Sequence, residues 1–333
     1  MNIIVPMAGM GKRMRPHTLT VPKPLIPIAG KPIVQRLIED IARVCAEKIE
    51  EVNFIVGDFG EEVEASLLQI AENIGAKGKI SYQKEPLGTA HAILCAQESL
   101  KGNVIVAFAD TLFRADFALD KSKDGIIWVH KINDPSAFGV VKLNDKLEIE
   151  EFVEKPKTFI SDLAIIGIYF FKDGEILKKE LKYLIDNNVI KGGEYQLTDA
   201  LINMKNKGMR LATGEVTEWL DCGNKNATVY TNQRVLANQN GNKLIDASLK
   251  KTNAVIIEPC YIGKNVNIEN SVIGPYVSIG NNSSVYDSVI SNSIIQTNSK
   301  IIHSNIHNSL IGNYVEYEGD VKELNIGDYS SLG

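Results

Sequence analysis

Short apolar runs alternate with helically spaced segments through the first two thirds of the chain. Runs that predict strands begin at Asn2, Val52, Ile80 and Val104, and similar runs recur between 126 and 215. Between them, segments such as 61–73 and 174–187 carry apolar residues every three to four positions, which predicts helices. This alternation favours an α/β fold, a Rossmann-like domain with a mixed, mostly parallel sheet. We expect it to span residues 1–240.

The pattern changes after about Leu244, where helical spacing disappears and Asn, Ser, Gly and Ile dominate. Aliphatic residues then recur every five or six positions, at Ile262, Ile268, Ile273, Ile279, Val285, Ile290, Ile295, Ile301, Ile306 and Ile311. Three steps make 16 or 17 residues, which predicts coils with three short sides that stack on one another. The texture resembles a short left-handed β-helix of hexapeptide repeats, and we expect this second domain to span 244–333.

Composition and charge narrow the function classes. The chain has 333 residues, of which 44% are hydrophobic and 23% charged, an ordinary globular balance. Apolar runs fall short of the roughly 18 residues of a membrane span, so no membrane association is predicted. The net charge of −5 disfavours nonspecific nucleic-acid binding. The first strand has no basic leader and the four cysteines form no CxxC pair, so we expect a cytoplasmic protein.

The first 38 residues hold six lysines and arginines and no acidic residue, which indicates a local positive field. A glycine-rich loop follows the first strand here, and glycines let backbone amides approach a phosphate. Met14 stands where a dinucleotide fingerprint needs glycine, and Arg13 stands where a P-loop needs Ser or Thr. Lys23 lies between two prolines and so on a stiff arm. A structural turn and a solvated basic surface are the alternatives.

Eight short sequence motifs follow one another along the chain, and the first two lie in this N-terminal region. They are Gly9-x-Gly11-x-Arg13-Met14-x-Pro16, Pro22-Lys23-Pro24-Leu25, Tyr82-Gln83-x-x-Pro86-Leu87-Gly88-Thr89-Ala90-His91-Ala92, Ala109-Asp110, Phe138-Gly139-Val140-Val141, Val153-Glu154-Lys155-Pro156, Glu194-Tyr195-Gln196-Leu197-Thr198-Asp199 and Trp219-Leu220-Asp221-x-Gly223. Together they resemble the signature of the sugar-1-phosphate nucleotidyltransferases, including glucose-1-phosphate thymidylyltransferases and UDP-glucose pyrophosphorylases. The resemblance covers roughly residues 1–235, and several of these enzymes carry a C-terminal β-helix.

The resemblance implies an enzyme that joins a sugar-1-phosphate to a nucleoside triphosphate and expels pyrophosphate. Both reactants are anionic, so neutralising and positioning charge dominate the catalysis. We expect the backbone amides from Ala8 through Gly9 to Gly11 to hold the triphosphate. Arg13 is expected to hold the β- and γ-phosphates, and Lys23 to bridge the α-phosphate and the sugar phosphate.

Asp110 and Asp221 each end a strand-like segment. Each alone is the kind of residue that caps a strand or a turn, but the family resemblance makes the pair a predicted metal site. Two carboxylates suit Mg²⁺, which also takes phosphate oxygens and water as ligands. We therefore predict Mg²⁺ as the cofactor, held by these two aspartates.

The remaining candidate residues divide between the base and the sugar. The amide of Gln83 can pair with the edge of a base, and the resemblance implies that Gln83, with Gly88 and Thr89, contacts uracil or thymine, which makes UTP or dTTP the predicted nucleotide. The residues expected to bind the sugar phosphate, with glucose-1-phosphate the first candidate, are Gly139, Glu154, Lys155 and Tyr195. Tyr195 has a core position as its alternative, and His91 is expected to be a helix-face residue and no catalytic base.

Other interpretations stay open at this stage. Lys12, Ala109 and Asp162 depart from the common family pattern, the last in a way that leaves the sugar open. A mannose-1-phosphate guanylyltransferase or a glucose-1-phosphate adenylyltransferase is the nearest alternative. A β-helix acyltransferase using His303 and His307, or a non-catalytic nucleotide-sugar sensor, would be of another class. The open end of a β-helix exposes unpaired backbone, so we also expect a homo-oligomer.

Overall fold

A computed structural model describes residues 1–45, 47–115, 120, 122–145, 147–239 and 244–320. The predicted repeats beyond residue 320 lie outside the described residues. The chain divides into two compact units, one of Met1–Ile26 with Pro32–Gly223, the other of Pro27–Lys31 with Asn224–Gly333. Each unit is built from the elements whose bounds follow.

The helices are α1 (Ile33–Val44), α2 (Glu61–Asn73), α3 (Thr89–Leu94), α4 (Gly174–Asp186), α5 (Leu197–Asn206) and α6 (Lys225–Ala237). Strands up to residue 223 are β1 (Asn2–Pro6), β2 (Pro27–Ile28), β3 (Lys31–Pro32), β4 (Glu51–Val56), β5 (Lys77–Tyr82), β6 (Val104–Ala107), β7 (Thr111–Arg114), β8 (Gly125–Lys131), β9 (Gly139–Leu143), β10 (Ile149–Glu154), β11 (Leu163–Phe171), β12 (Leu211–Glu215) and β13 (Glu218–Asp221). Four short 3₁₀ helices are described, at Lys12–Met14, His17–Leu19, Lys23–Leu25 and Gln97–Ser99.

The first unit is organised around one mixed sheet in the order β10-β9-β11-β6-β1-β4-β5, with β8 paired to β11 and β12 to β8. Its centre is parallel, since β1 pairs in parallel with both β4 and β6. All five residues of β1 are buried, because a central parallel strand is covered on both faces. The carboxyl ends of β1 and β6 lie at one edge of the sheet, where α/β folds bind ligands.

A two-stranded ribbon stands beside this edge. Strand β13 pairs antiparallel with β7, and Asp221 lies opposite Thr111. The amide of Cys222 donates to the carbonyl of Asp110 at 2.9 Å. The ribbon therefore fixes two aspartates, 111 positions apart in the chain, next to each other.

The second unit contains three stacks of short parallel strands. Strands β14 (Lys250–Thr252), β15 (Val255–Ile256) and β16 (Cys260–Ile262) form the first coil. The strands that stack on them are β17 (Asn267–Glu269), β18 (Val272–Ile273), β19 (Val277–Ile279), β20 (Ser284–Tyr286), β21 (Val289–Ser291), β22 (Ile294–Ile295), β23 (Lys300–Ile302), β24 (Asn305–His307), β25 (Leu310–Ile311) and β26 (Glu316–Glu318). Ile268, Val285 and Ile301 align in register and are fully buried. These stacks are consistent with the predicted left-handed β-helix.

Asparagines turn the coils at their corners. Asn265, Asn282 and Asn298 all have positive φ, of 55°, 57° and 56°, a conformation that asparagine tolerates better than most residues. Their side chains form a ladder, since Asn265 donates to Asn282 at 3.2 Å and Asn282 donates to Asn298 at 3.3 Å. The Asn-rich texture of the sequence therefore has a structural cause, because other corners of the coils adopt the same conformation, as at Asn270 and Asn292.

Helix α6 is hydrogen-bonded to the strand stacks through a buried side chain. The buried Asn232 of this helix accepts hydrogen bonds from the backbone N of Ala29 at 2.9 Å and from the Ser278 hydroxyl at 2.7 Å. This network explains why Pro27–Lys31 and α6 group with the strand stacks.

The predicted fold class is confirmed in both parts of the chain. The structure places the division along the chain at Gly223, with α6 in the second unit, whereas the sequence analysis draws the boundary at 240–244. Independent folding of domains 1–240 and 244–333 stays a prediction. No helix within the described ranges is both long and apolar enough to cross a membrane.

Candidate active site

The loop after β1 makes a tight turn at Gly11. Gly11 has φ of +56°, and a Cβ there would lie 3.0 Å from the Thr18 Cγ2 and 3.1 Å from the Lys23 Cβ. The Thr18 hydroxyl donates to the Gly11 carbonyl at 2.9 Å and so fixes this turn. Gly9 has open space around it. The positive φ and these tight contacts thus favour glycine at position 11, and Ala8, Gly9 and Gly11 all line a cleft at the sheet edge.

Lys23 and Asp110 form the central ion pair of the cleft. Lys23 begins the 3₁₀ helix Lys23–Leu25, and its Nζ lies 2.6 Å from the Asp110 Oδ2. The lysine side chain is only 14% exposed, whereas that of Asp110 is 35% exposed. A single ammonium group is thus held against a carboxylate that still faces the cleft.

Asp221 lies next to this pair. Burial raises the pKa of its carboxyl and the charge of Asp110 raises it further, while the Gly223 amide, Lys23 and Arg13 act in the opposite direction. The Gly223 N–H donates to the Asp221 Oδ1 at 3.0 Å. A Cβ at Gly223 would lie 3.4 Å from an Arg13 guanidinium nitrogen, which places Arg13 beside Asp221. The structure thus brings together all four predicted catalytic residues.

Two clefts meet at Asp110. The first has a volume of about 280 Å³ and contains the glycine-rich loop, Lys23 and Gln83. The second has a volume of about 220 Å³ and contains Arg13 and Asp221. Thr89, Phe108 and Asp110 line both. The two clefts are therefore separate spaces that share one carboxylate.

Gly88 shapes the outer end of the first cleft. Its φ is +111°, and a Cβ there would lie 2.5 Å from the backbone oxygen of Tyr195 and 2.7 Å from its nitrogen. The Tyr195 backbone bonds the segment on both sides, donating to Leu87 at 2.8 Å and accepting from Ala90 at 2.9 Å. The close approach of these two segments therefore excludes any side chain at position 88. Glu194, from the same segment as Tyr195, lines this cleft too.

Glu154 is the central polar residue of the second cleft. Its Oε2 accepts a hydrogen bond from the Thr198 hydroxyl at 3.0 Å, and a Cβ at Gly139 would lie 3.0 Å from that same oxygen. Glycine at 139 therefore leaves room beside an oriented carboxylate. A carboxylate in such a place can accept hydrogen bonds from sugar hydroxyls.

An aromatic wall faces this carboxylate. The Trp219 indole N–H donates to the Thr111 hydroxyl at 2.9 Å, and that hydroxyl donates to the Ile166 carbonyl at 2.8 Å. Phe138 packs edge-on against Trp219 at 4.8 Å between ring centroids. The hydrogen bonds and the ring contact together hold the indole in one orientation, which suits the apolar face of a sugar ring.

Two predicted sugar-phosphate residues do not line either cleft. The Tyr195 hydroxyl donates to the side chain of Asn188 at 2.9 Å, and the backbone of Tyr195 supports Gly88. Lys155 has φ of 43°, and its Nζ lies 3.8 Å from the Glu154 Oε1 with 64% of the side chain exposed. Their roles at the sugar phosphate stay predictions.

Several residues of the clefts received no role from the sequence, among them Phe138, Glu194, Thr198 and Trp219. Each stands inside one of the quoted motif segments, so the signal was present. Their roles depend on which face of a strand or helix they occupy, and the motif letters do not supply that information.

The two histidines considered for an acyltransferase lie on the strand stacks. His303 is flanked by carboxylates of the neighbouring coils, with Asp287 at 3.6 Å and Glu318 at 3.4 Å. His307 hydrogen-bonds the Ser291 hydroxyl at 2.9 Å. Both side chains therefore have partners within the stacks, as solvated polar residues of a repeat do.

The donor set at Asp110 and Asp221 fits a magnesium ion. The described part of the chain holds no cluster of three or more His, Cys, Asp or Glu side chains that could ligate a metal. Zinc sites usually need three or four such ligands, whereas Mg²⁺ is commonly bound by one or two carboxylates together with substrate phosphates. The mutual repulsion that raises the pKa of Asp221 is the kind that a divalent cation relieves.

Comparison with known proteins agrees with this geometry. The nucleotidyl transferase family matches residues 2–238. A Streptomyces antibioticus protein named glucose-1-phosphate thymidylyltransferase is 30% identical over 100% of this chain and 99% of its own length. The bifunctional protein GlmU of Methanococcus vannielii is 30% identical over 94% of this chain and 78% of its own length. A nucleoside-diphosphate-sugar pyrophosphorylase structure from Vibrio cholerae shares the fold, with a TM-score of 0.60 and 20% identity over 69% of this chain and 99% of that structure.

Asp221→Asn is expected to raise the thermal stability of the ligand-free protein at neutral pH. A carboxyl whose pKa is higher in the folded than in the unfolded state costs folding free energy when it ionises. The cost is present above the folded-state pKa and absent below the ordinary carboxyl pKa, so the gain must shrink as the pH falls. Tryptophan fluorescence measures the unfolding midpoint, since both Trp128 and Trp219 lie in the first unit.

Asp134→Asn is the matched control. Hydrogen bonding to Ser136 lowers the pKa of Asp134, so losing this charge must not stabilise the protein. An equal rise in both variants, or a rise for Asp221→Asn that is independent of pH, would contradict the electrostatic account.

Proposed function

Because the chain belongs to the nucleotidyl transferase family, and is a sugar-1-phosphate nucleotidyltransferase, we propose that it joins glucose-1-phosphate to dTTP or UTP. The products are the nucleoside-diphosphate sugar and pyrophosphate. The single observation that carries the proposal is the junction of two clefts at Asp110, with Lys23, Arg13 and Asp221 around it.

The proposed reaction is one displacement at the α-phosphorus. An oxygen of the sugar phosphate attacks, the new P–O bond forms, and the bond to the β-phosphate oxygen breaks with pyrophosphate leaving. The nucleophile is already an anion, so no general base is needed, and His91 has no such role. What the protein must supply is alignment and positive charge.

Lys23 and Arg13 supply that charge from the two clefts that meet at Asp110. Lys23 lines the cleft of the glycine-rich loop, where the triphosphate is proposed to lie with its oxygens on the amides of Ala8, Gly9 and Gly11. Arg13 lines the cleft of Glu154, although the sequence assigned it to the β- and γ-phosphates. Its position beside Asp221 makes it suitable for neutralising phosphate charge at the junction.

Members of this family generally use divalent metal ions, and we propose Mg²⁺ at Asp110 and Asp221. When bound, Mg²⁺ would neutralise phosphate charge at the reacting centre. Lys23 also neutralises the Asp110 carboxylate, with its Nζ 2.6 Å from Oδ2. The ion pair thus holds the lysine at the proposed reacting centre.

The choice of base and sugar is the finer part of the proposal. Gln83 and Gly88 at the end of the first cleft support uracil or thymine. Glu154, Thr198 and the Trp219 wall support a hexose in the second. A guanylyltransferase or an adenylyltransferase stays the alternative, and a sensor without turnover is the alternative of another class. The four cysteines are free thiols, which suits the proposed cytoplasmic setting.

Pyrophosphate release measured across nucleoside triphosphates and sugar-1-phosphates tests the proposal. We expect turnover with glucose-1-phosphate and UTP or dTTP, and none once Mg²⁺ is chelated. Preference for GTP or ATP would reject the base assignment and keep the class. Binding without turnover for every pair would favour the sensor.

Asp110→Asn is expected to lower kcat by about 100-fold or more, because it removes a charge on which both the metal and Lys23 depend. The same pyrophosphate assay gives the rate, and circular dichroism reports whether the variant is folded. Asp134→Asn again serves as the control, since this exposed carboxyl lies outside both clefts. Wild-type activity in Asp110→Asn would remove that residue from the metal site.

We also propose that a second copy of this chain covers the strand stack β15-β18-β21. Val255, Val272 and Val289 align there in register, and Val255 and Val289 are 55% and 49% exposed. Gel filtration with light scattering is expected to give an oligomer for the wild type and a smaller species for Val289→Glu. Ser284→Glu, on the neighbouring stack, must leave the oligomer intact. A monomeric wild type would reject the proposal.

A further inference from the structure

Two polar side chains meet at the base end of the first cleft. The Gln83 side-chain nitrogen, Nε2, lies 3.1 Å from the His91 Nδ1 and 3.1 Å from the Gly88 carbonyl oxygen. Both side chains are half-buried. Gln83 follows β5, and its backbone N donates to the Val56 carbonyl at 2.9 Å. The position of Gln83 is thus fixed by the sheet, and only the rotation of its amide needs a further constraint.

The Gly88 carbonyl decides which end of the amide faces it. A carbonyl oxygen can only accept a hydrogen bond, and this one already accepts from the Ala92 N–H at 3.0 Å. The Gln83 NH₂ group must therefore be the end that points to Gly88. The orientation of the Gln83 amide is therefore assigned from its hydrogen-bond partners.

His91 then takes the second hydrogen of the same NH₂ group. It can do so only as a neutral imidazole with its proton on Nε2, because Nδ1 must offer a lone pair. With both of its hydrogens directed to Gly88 and His91, the amide presents its Oε1 as the end that remains for a ligand. Gln83 lines the cleft, so the cleft receives a hydrogen-bond acceptor.

An acceptor at this place discriminates between pyrimidines. Uracil and thymine carry an N–H at ring position 3, which can donate to such an oxygen. Cytosine carries a lone pair at the same position, which would face the oxygen and leave both groups without a partner. A site built to bond one group rejects the analogue that lacks it, because its own polar atom is left unpaired.

We propose that His91 is a positioning residue that holds the Gln83 amide with its oxygen toward the base, and so gives the cleft its selectivity for uracil or thymine over cytosine. The inference rests on the proposed function and deepens it. His91 acts through Gln83 and exchanges no proton with the substrates. Its place two residues after Thr89, in the short helix α3, keeps it beside Gln83 and away from the ion pair of Lys23 and Asp110.

Two variants of the full-length protein separate this role from a structural one. His91→Leu removes the acceptor with a similar side-chain volume, and His91→Asn offers a side-chain oxygen near the position of Nδ1. The pyrophosphate assay gives kcat and KM for UTP, dTTP and CTP at saturating glucose-1-phosphate. Thermal unfolding of each variant reports on folding.

For His91→Leu we expect the KM for UTP or dTTP to rise about tenfold, the loss expected for one oriented hydrogen bond. The ratio of kcat/KM for UTP over CTP is expected to fall with it, while kcat and the KM for glucose-1-phosphate stay near wild type. His91→Asn is expected to restore the KM and most of the selectivity. This rescue is the readout that a merely structural role would not produce.

Three results would overturn the inference. The ratio of UTP to CTP turnover could be unchanged in His91→Leu, both variants could lose selectivity equally, or kcat could fall alike with every nucleotide. Wild-type turnover with neither UTP nor dTTP would instead overturn the proposed function, and this inference with it. A wild type that selects UTP while His91→Leu does so equally well would overturn the inference alone.

Discussion

The approach of two carboxylates, Asp110 and Asp221, is the constraint on which the rest of the site depends. The ribbon of β7 and β13 forces them together, and their repulsion contributes to the raised pKa of Asp221. Folding tolerates the arrangement because Lys23 lies against one carboxylate, and Arg13 and the Gly223 amide lie near the other. Repulsion between two close carboxylates lowers the stability of the folded protein. Cations or positively charged side chains nearby reduce that repulsion.

The same constraint explains how the clefts are divided. Because Asp110 lines both clefts, a ligand in either one reaches the same charged centre. The first cleft contains the glycine-rich loop, where a Cβ at Gly11 would lie only 3.0 Å from Thr18 and 3.1 Å from Lys23. Side chains held by hydrogen bonds dominate the second, as Thr198 holds Glu154 and Thr111 holds Trp219. The two clefts thus use different means on one scaffold, a close backbone approach in the first and side chains held by hydrogen bonds in the second.

Much of this could be predicted from the sequence, because the dominant signals are periodic or local. The alternation of strands and helices gave the α/β sheet, and the spacing of aliphatic residues gave the strand stacks with the register seen for Ile268, Val285 and Ile301. All four predicted catalytic residues lie in the motif segments. In each case a periodic or local pattern of residues was enough for the prediction.

The parts that could not be predicted depend on contacts between distant segments. Helix α6 joins the strand stacks through Asn232, a polar residue with no periodic signal. The backbone of Tyr195 packs against Gly88 and bonds its neighbours, and such a backbone contact does not depend on the identity of the side chain. The orientation of one amide, that of Gln83, depends on a histidine eight positions away and on a glycine carbonyl.

The charged centre and the contacts of Gln83 also differ in how freely they can vary between related sites. The charged centre must stay as it is for any nucleotide and any sugar, because every pair of substrates brings the same phosphates to it. The amide of Gln83 can be reversed by its neighbours without moving Lys23, Asp110 or the glycine-rich loop. In the proposed function, selectivity for the base therefore resides in residues that are separate from the charged centre. A chain with this centre can acquire a new base preference by altering the partners of a single amide.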